Sequence, residues 1–266
     1  KAILKTMTRI LPVPELPEVE TVRASLAPMI LGCSITRVHI ARLSVFTNAP
    51  AHARHATRAL GTGQRVVELR RHGKQLAIVL DSGSVVVVQL GMTGQLFVRS
   101  TASGSVQSQL QNRVQAKLQD HVHIRWSFGK HKTMCFRDPR RFGSVRAYDS
   151  LETLWQDRWA LLGPDALTVR AADLCAALSS TRRSIKACLL DQRVLAGVGN
   201  IYADESLFLA GINPRSRACK LPRDAIRRLA SCIRQVLRQS IRAGGSTLRD
   251  FVDANAKPGY HQVQFR

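Results

Sequence analysis

Acidic residues are scarce in this sequence. Its 266 residues hold 18 Asp and Glu against 40 Lys and Arg, a formal net charge of +22, which sets the chain apart from an ordinary cytosolic enzyme and points to a polyanionic partner. The force involved is counterion release: each Lys or Arg that neutralises a phosphate frees a condensed cation, so a basic surface gains affinity without reading base sequence. Long apolar runs are lacking as well. None approaches the roughly 20 residues of a membrane-spanning helix, and the basic residues are spread along the chain instead of gathered on one amphipathic helix. Nucleic acid, not a membrane, is therefore the expected polyanion. Cysteine pairs of the C-x-x-C type are absent: the cysteines at 33, 135, 175, 188, 219 and 232 have neither the spacing nor the companion His of a zinc site. They read as reduced thiols of a cytoplasmic protein. Lys1 to Val13 are basic and apolar, but the apolar stretch is short for a targeting peptide and no small-residue cleavage site follows it. No internal repeat is present.

What is there falls into two halves. A helix is predicted over 18–30, with Pro17 at its start, Glu18 and Glu20 in the first turn, and Val19, Val22, Leu26 and Ile30 on one face; Pro28 puts its last turn in doubt. Beyond it the period changes to two. Short segments rich in Val and Ile, at 35–46, 64–70, 74–81, 84–90, 94–99, 121–128, 132–137 and 143–148, predict an antiparallel β-sandwich. Residues 100–120, rich in Ser and Gln, read as a loop between strands. After about 150 the signals turn helical, at 151–157, 171–179, 183–191, 201–210, 223–242 and 246–252, so a boundary is expected near Asp149-Ser150. The fold class is α+β in two domains, a sandwich with a flanking helix followed by a helical domain.

Four stretches carry chemistry. In Pro14-Glu15 a proline nitrogen, when it ends a chain, is a secondary amine able to attack a sugar carbon and form an iminium; terminal amines titrate at about 7.7 to 8.0, so part of it is unprotonated at neutral pH. The adjacent Glu could protonate a sugar ring oxygen as the ring opens. Alone, these two residues read as a turn capping a helix. Lys74, within Arg71-His72-Gly73-Lys74-Gln75-Leu76, stands at the mouth of an apolar strand and alone reads as a surface lysine. Leu90-Gly91-Met92-Thr93-Gly94 and Arg137-Asp138-Pro139-Arg140-Arg141-Phe142-Gly143 offer a flexible Met and a planar Phe as wedges and Arg as a hydrogen-bond donor. The segment Leu189 to Asn200, with Gly197 and Gly199, separates two helices by a turn whose exposed N–H groups suit a phosphate. Arg182, Arg183 and Lys186 precede it on what reads as a basic helix.

Taken together and in this order, Pro14-Glu15-Leu16-Pro17-Glu18-Val19-Glu20 and the three later stretches resemble the formamidopyrimidine-DNA glycosylase family over roughly residues 14 to 260. The resemblance implies a bifunctional glycosylase and abasic-site lyase that excises oxidised purines from duplex DNA and cuts the strand by β,δ-elimination. It implies Pro14 as the nucleophile, Glu15 as the proton donor and Lys74 as an acid/base in strand cleavage. A base must leave the stack before it can be attacked, and the implied probes that fill the gap are Met92, Arg140 and Phe142. Asn200 is implied on a phosphate flanking the lesion, within a helix-two-turn-helix, with Arg182 and Lys186 adding phosphate contacts. The domains expected are 14–149, the catalytic sandwich, and 150–257, the helical DNA-binding unit. The implied setting is bacterial, cytoplasmic and nucleoid-associated, and the implied form a monomer on damaged double-stranded DNA.

Three departures accompany the resemblance. Thirteen residues precede Pro14, which makes its nitrogen a tertiary amide. The expectation is that 1–13 is an extension not translated natively, with Val13 marking a GUG start whose methionine is removed. The family's four-cysteine zinc finger and its arginine have no counterpart up to Arg266, so no metal cofactor is expected here, and 258–266 reads as the start of a truncated finger region. The family's DNA-contacting histidine is matched by Gln119, still able to donate a hydrogen bond. These departures motivate the alternative of an impaired or non-catalytic DNA-binding paralogue. An endonuclease VIII-type enzyme for oxidised pyrimidines is disfavoured by Leu16, since such enzymes usually begin Pro-Glu-Gly-Pro, and a ribosomal or general RNA-binding protein leaves the motifs unexplained.

Overall fold

The period-two segments pair into two four-stranded antiparallel sheets in a computed structural model that describes residues 14–100 and 120–245. Residues 1–13, the bulk of the loop predicted at 100–120, Gln119, the helix predicted at 246–252 and segment 258–266 lie outside the described residues. One sheet runs β1 (Arg37–Ile40), β6 (Val122–Phe128), β7 (Lys132–Arg137), β5 (Gln95–Ser100); the other runs β2 (Val66–His72), β3 (Gln75–Leu80), β4 (Val85–Gln89), β8 (Ser144–Tyr148). Their inner faces close on one core, in which Leu76, Ile78, Val86, Leu96, Trp126 and Phe136 are buried. Each such side chain contributes roughly 1.5–3 kcal/mol on leaving water. β3 and β4 read as unbroken apolar runs because their other faces are also covered. Ala77, Val79, Val85 and Val87 pack under Leu154 and Trp159, so helix α3 (Leu151–Asp157), although it follows the expected boundary, lies on the second sheet.

Helix α1 (Leu16–Ile30) begins two residues before the prediction and runs through Pro28. Its apolar stripe Val19, Val22, Leu26 and Ile30 is buried as expected. Pro28 is tolerated because the carbonyl it leaves without a donor belongs to Ala24, on the exposed side of the helix. The strand predicted over 35–46 is shorter: after Ile40 the N–H groups of Ala41 and Arg42 both turn onto the His123 carbonyl, and a 3-10 turn follows over Leu43–Val45. A helix the period reading did not contain, α2 (Ala53–Ala59), buries Ala56 in the sandwich core.

The helical half comprises α4 (Ala171–Leu178), α5 (Ile185–Leu190), α6 (Asn200–Leu209) and α7 (Arg223–Arg242). Helix α7 is amphipathic at the helical period: Ile226, Leu229, Ile233 and Leu237 are buried against α4 and α6 while Arg223, Arg227, Arg238 and Arg242 face outward. Helices α5 and α6 flank the glycine-bearing turn, as predicted. Helix α5 starts later than expected, because Ser184 caps it by accepting the Ala187 N–H. Arg182 and Arg183 therefore precede the helix rather than ride on it.

Candidate active site

The first turn of α1 is the seam between the halves. Leu16 belongs to the helical core, whereas Val19, less than one turn on, belongs to the sandwich core. The Leu16 N–H bonds the Gly197 carbonyl at 3.0 Å, fixing the chain to the turn before α6. A second tie runs through Arg71 of β2, whose side chain is only 7% exposed. Its guanidinium takes Asp165 through two nitrogens, at 2.5 and 3.1 Å, and Glu20 of α1 at 3.0 Å. Asp165 also accepts the Gly73 N–H at 2.8 Å, so the turn that presents Lys74 is held from the helical half.

These ties bring Pro14, Lys74, Met92 and Phe142 onto one cleft of about 450 Å3, lined also by Gln89, Gly91, Leu190 and Gln192. Two larger concavities, about 640 Å3 between α4 and the start of α7 and about 500 Å3 beside α2 and β8, include none of Pro14, Lys74, Met92 or Phe142 in their linings. Gln89 and Gln192 were not among the residues singled out from sequence. Gln89 is the polar residue that ends the apolar run of β4, a signal that could have found it, whereas Gln192, after Asp191 in the turn, carries no such signal. Gln192 folds the turn behind the cleft by accepting the Gly197 N–H at 2.9 Å and donating to the Val198 carbonyl at 2.9 Å. Gln89 accepts from Arg158 at 2.7 Å.

Beside Pro14, the Glu15 carboxylate is buried and accepts the N–H groups of Gly199, at 2.5 Å, and Ile201, at 3.0 Å. The positive end of α6, expected to be open for a phosphate, thus gives two of its donors to the chain's own carboxylate. Burial pushes the Glu15 carboxyl up to about 7, against the opposing pull of Lys74 and of the two N–H groups. Lys74 is lowered by the same burial, with Glu15 and Glu18 pulling the other way. Gly199 is required here by close approach: a Cβ on it would stand 2.4 Å from the Glu15 carboxyl carbon and 2.8 Å from Lys74 Nζ. Beneath, Glu18 accepts the Glu15 N–H at 2.9 Å and the Tyr202 hydroxyl at 2.7 Å, and Tyr202 meets Ser240 of α7 at 2.6 Å. Burial and the nearby Glu18 hold the Tyr202 phenol protonated, its pKa well above the ordinary value.

At the rim, Phe142 is 56% exposed and the Arg140 guanidinium carbon lies 4.9 Å from its ring centre. Met92 is half-buried on the cleft wall. Asn200 is exposed at the first position of α6. The other basic residues are less available than a charge count suggests: Lys186 pairs with Asp204 at 2.7 Å and Arg183 with Asp191 at 2.8 Å, while Arg182 is exposed. All six cysteines are free thiols, and among the described residues no three His, Cys, Asp or Glu side chains converge so as to hold a metal ion. No helix among the described residues is long and apolar enough to cross a membrane.

Comparison with known proteins bears on both halves. The formamidopyrimidine-DNA glycosylase N-terminal domain matches residues 13–145 and the corresponding H2TH domain matches residues 162–252. The formamidopyrimidine-DNA glycosylase of Ruegeria sp. (strain TM1040) is 40% identical over 257 residues, covering 95% of this chain and 87% of that protein. The enzyme of that name from Shewanella halifaxensis is 36% identical over 249 residues, covering 93% and 84%. Among solved structures, the MutM (Fpg) protein of Thermus thermophilus superposes with a TM-score of 0.75 at 33% identity, over 92% of this chain and 84% of that one. The Lactococcus lactis Fpg in complex with abasic-site DNA gives 0.78 at 25% identity over the same shares.

Proposed function

The chain belongs to the formamidopyrimidine-DNA glycosylase family of base-excision repair enzymes, and from that premise we propose that it excises oxidised purines, 8-oxoguanine and formamidopyrimidines, from duplex DNA. Strand incision by β,δ-elimination at the resulting abasic site completes the proposed reaction. The Pro14 nitrogen, as a secondary amine, attacks the sugar C1′. The base leaves with the glycosidic electron pair and takes up the amine's proton; Glu15 gives its own proton to the ring oxygen as the bond from C1′ to that oxygen breaks, and the nitrogen lone pair closes an iminium that joins protein to the opened sugar. Lys74, beside Glu15, exchanges the protons of elimination.

The observation that carries this reading is the placement of Glu15, buried next to Pro14 and held by the N–H groups of Gly199 and Ile201 behind the cleft that Pro14 and Lys74 line. A carboxyl lifted to about 7 still holds a proton near neutrality, which an acid catalyst must and an ordinary surface glutamate does not. Its neighbour Pro14 opens on the same cleft as Lys74, the half-buried Met92 and the exposed Phe142. The amine chemistry also requires a Pro14 nitrogen free of a preceding peptide bond, so the proposal is that the active form begins at Pro14. Borohydride trapping on a duplex containing 8-oxoguanine tests it. A covalent protein–DNA adduct is expected from protein starting at Pro14 and none from protein retaining residues 1–13. No adduct from either form would leave a DNA-binding module without lyase chemistry.

A further inference from the structure

Asp138 is fully buried and stands among the probes without being one of them. It follows β7 and leads into Arg140 and Phe142, yet its carboxylate is used wholly within the protein. Oδ2 accepts the Gly143 N–H at 2.7 Å, and Oδ1 accepts the Thr93 hydroxyl at 2.6 Å and the Arg140 N–H at 3.3 Å. Thr93 Oγ1 accepts the same Arg140 N–H at 3.2 Å. The Asp138 main chain is pinned too, its N–H on the His121 carbonyl at 3.0 Å and its carbonyl against His123 Nε2 at 2.8 Å. One carboxylate therefore brackets the probe segment on both sides, at Arg140 and just after Phe142, and crosses to the segment that carries Met92.

Two further features bear on rigidity. At Gly91, whose φ is +64°, a Cβ would stand 2.5 Å from the Phe142 carbonyl carbon and 2.5 Å from the Gly143 nitrogen, so the two segments touch backbone to backbone. Arg141 holds a φ of +59°, a region non-glycine residues occupy only where their surroundings impose it. Phe142, more than half exposed, has little packing of its own to aim it.

We infer that Asp138, acting through Thr93, locks the Met92 segment and the Arg140–Phe142 segment into a single wedge and is thereby a positioning residue for base extrusion. This rests on the base-excising function proposed above. A wedge ordered in advance spends none of its binding energy on ordering itself as it enters the stack. Thr93→Val cuts the side-chain link between the segments and leaves Asp138 bonded to Gly143 and Arg140, with the backbone contact at Gly91 intact, so the fold is spared; Thr93→Ser keeps the hydroxyl. Asp138→Asn retains the shape but offers a single acceptor oxygen where the aspartate offers two.

The test is stopped-flow fluorescence of a duplex with 2-aminopurine beside a tetrahydrofuran abasic analogue, mixed with the 266-residue protein. Thr93→Val and Asp138→Asn are expected to slow the fluorescence rise by about ten-fold, the worth of one hydrogen bond to a charged group. Thr93→Ser is expected to restore it, with affinity for undamaged duplex equal in all. Wild-type rates in Thr93→Val, or a Thr93→Ser protein as slow as Thr93→Val, would overturn the inference. A wild-type protein that bound the duplex with no fluorescence rise would overturn the proposed function along with it, whereas equal rises in wild type and variants would overturn the inference alone.

Discussion

Replacing Gly199 by alanine adds one methyl group in the least forgiving place in the molecule. The backbone there is extended, with φ −127° and ψ −158°, so alanine meets no conformational penalty and the whole effect is steric. Its Cβ would lie 2.4 Å from the Glu15 carboxyl carbon and 2.5 Å from Oε1, where carbon atoms settle at roughly 3.5–4.0 Å. The carboxyl must therefore retreat by about 1 Å. Retreat lengthens both the Gly199 and the Ile201 hydrogen bonds, each worth about 1.5–3 kcal/mol while the acceptor is charged. It also moves the proposed proton donor off the line of the sugar oxygen, and a misplacement of that size costs on the order of 100-fold in rate. The assay is single-turnover excision and incision by protein that begins at Pro14, alongside duplex binding. The chemical step is expected to fall on the order of 100-fold with binding unchanged, because Gly199 lies behind the cleft and not among its lining residues. A Gly199→Ala protein with wild-type single-turnover rates would refute the reasoning.

Glu15 also predicts how stability depends on pH. The folded protein holds this proton up to about 7 and the unfolded chain only to 4.5, so the native state binds more protons between those values and loses stability as pH rises through them. The loss is on the order of 3 kcal/mol. Denaturant melts of wild type and Glu15→Gln at pH 5 and pH 8 check it: relative to the variant, wild type should be weaker at the higher pH, and a pH-independent difference would contradict the prediction. Asp165→Ala leaves the buried Arg71 guanidinium without its bidentate partner but still paired with Glu20, a loss of about 1.5–3 kcal/mol; a urea midpoint equal to wild type would remove Arg71–Asp165 as the tie between the halves. Phe142→Ala acts on an exposed side chain, so the thermal midpoint is expected to stay put while 2-aminopurine extrusion is lost. A drop in stability without loss of extrusion would make Phe142 a packing residue.

What the sequence made visible follows from the range over which each cause acts. The stripe Val19, Val22, Leu26, Ile30 and the whole of α7 could be read because a helix repeats its buried face within a few residues, and the register of that repeat survives in the letters. Helix α2 could not: it is seven residues long, has no side-chain cap, and buries Ala56, which carries little periodic signal. The site divides along the same line. Pro14 beside Glu15 is a local fact, but the donors that hold the Glu15 carboxylate are 184 and 186 residues away, and no spacing rule connects them. Charge suffers most. Lys186 and Arg183 read as part of a basic helix in the sequence, yet they pair with Asp204 and Asp191 across turns whose geometry had first to be known. Asp138 is the converse case, an acid inside a basic motif that a charge reading passes over. Its worth lies in three hydrogen bonds to two segments, and it becomes legible only once β4–β5 and β7–β8 have been brought side by side.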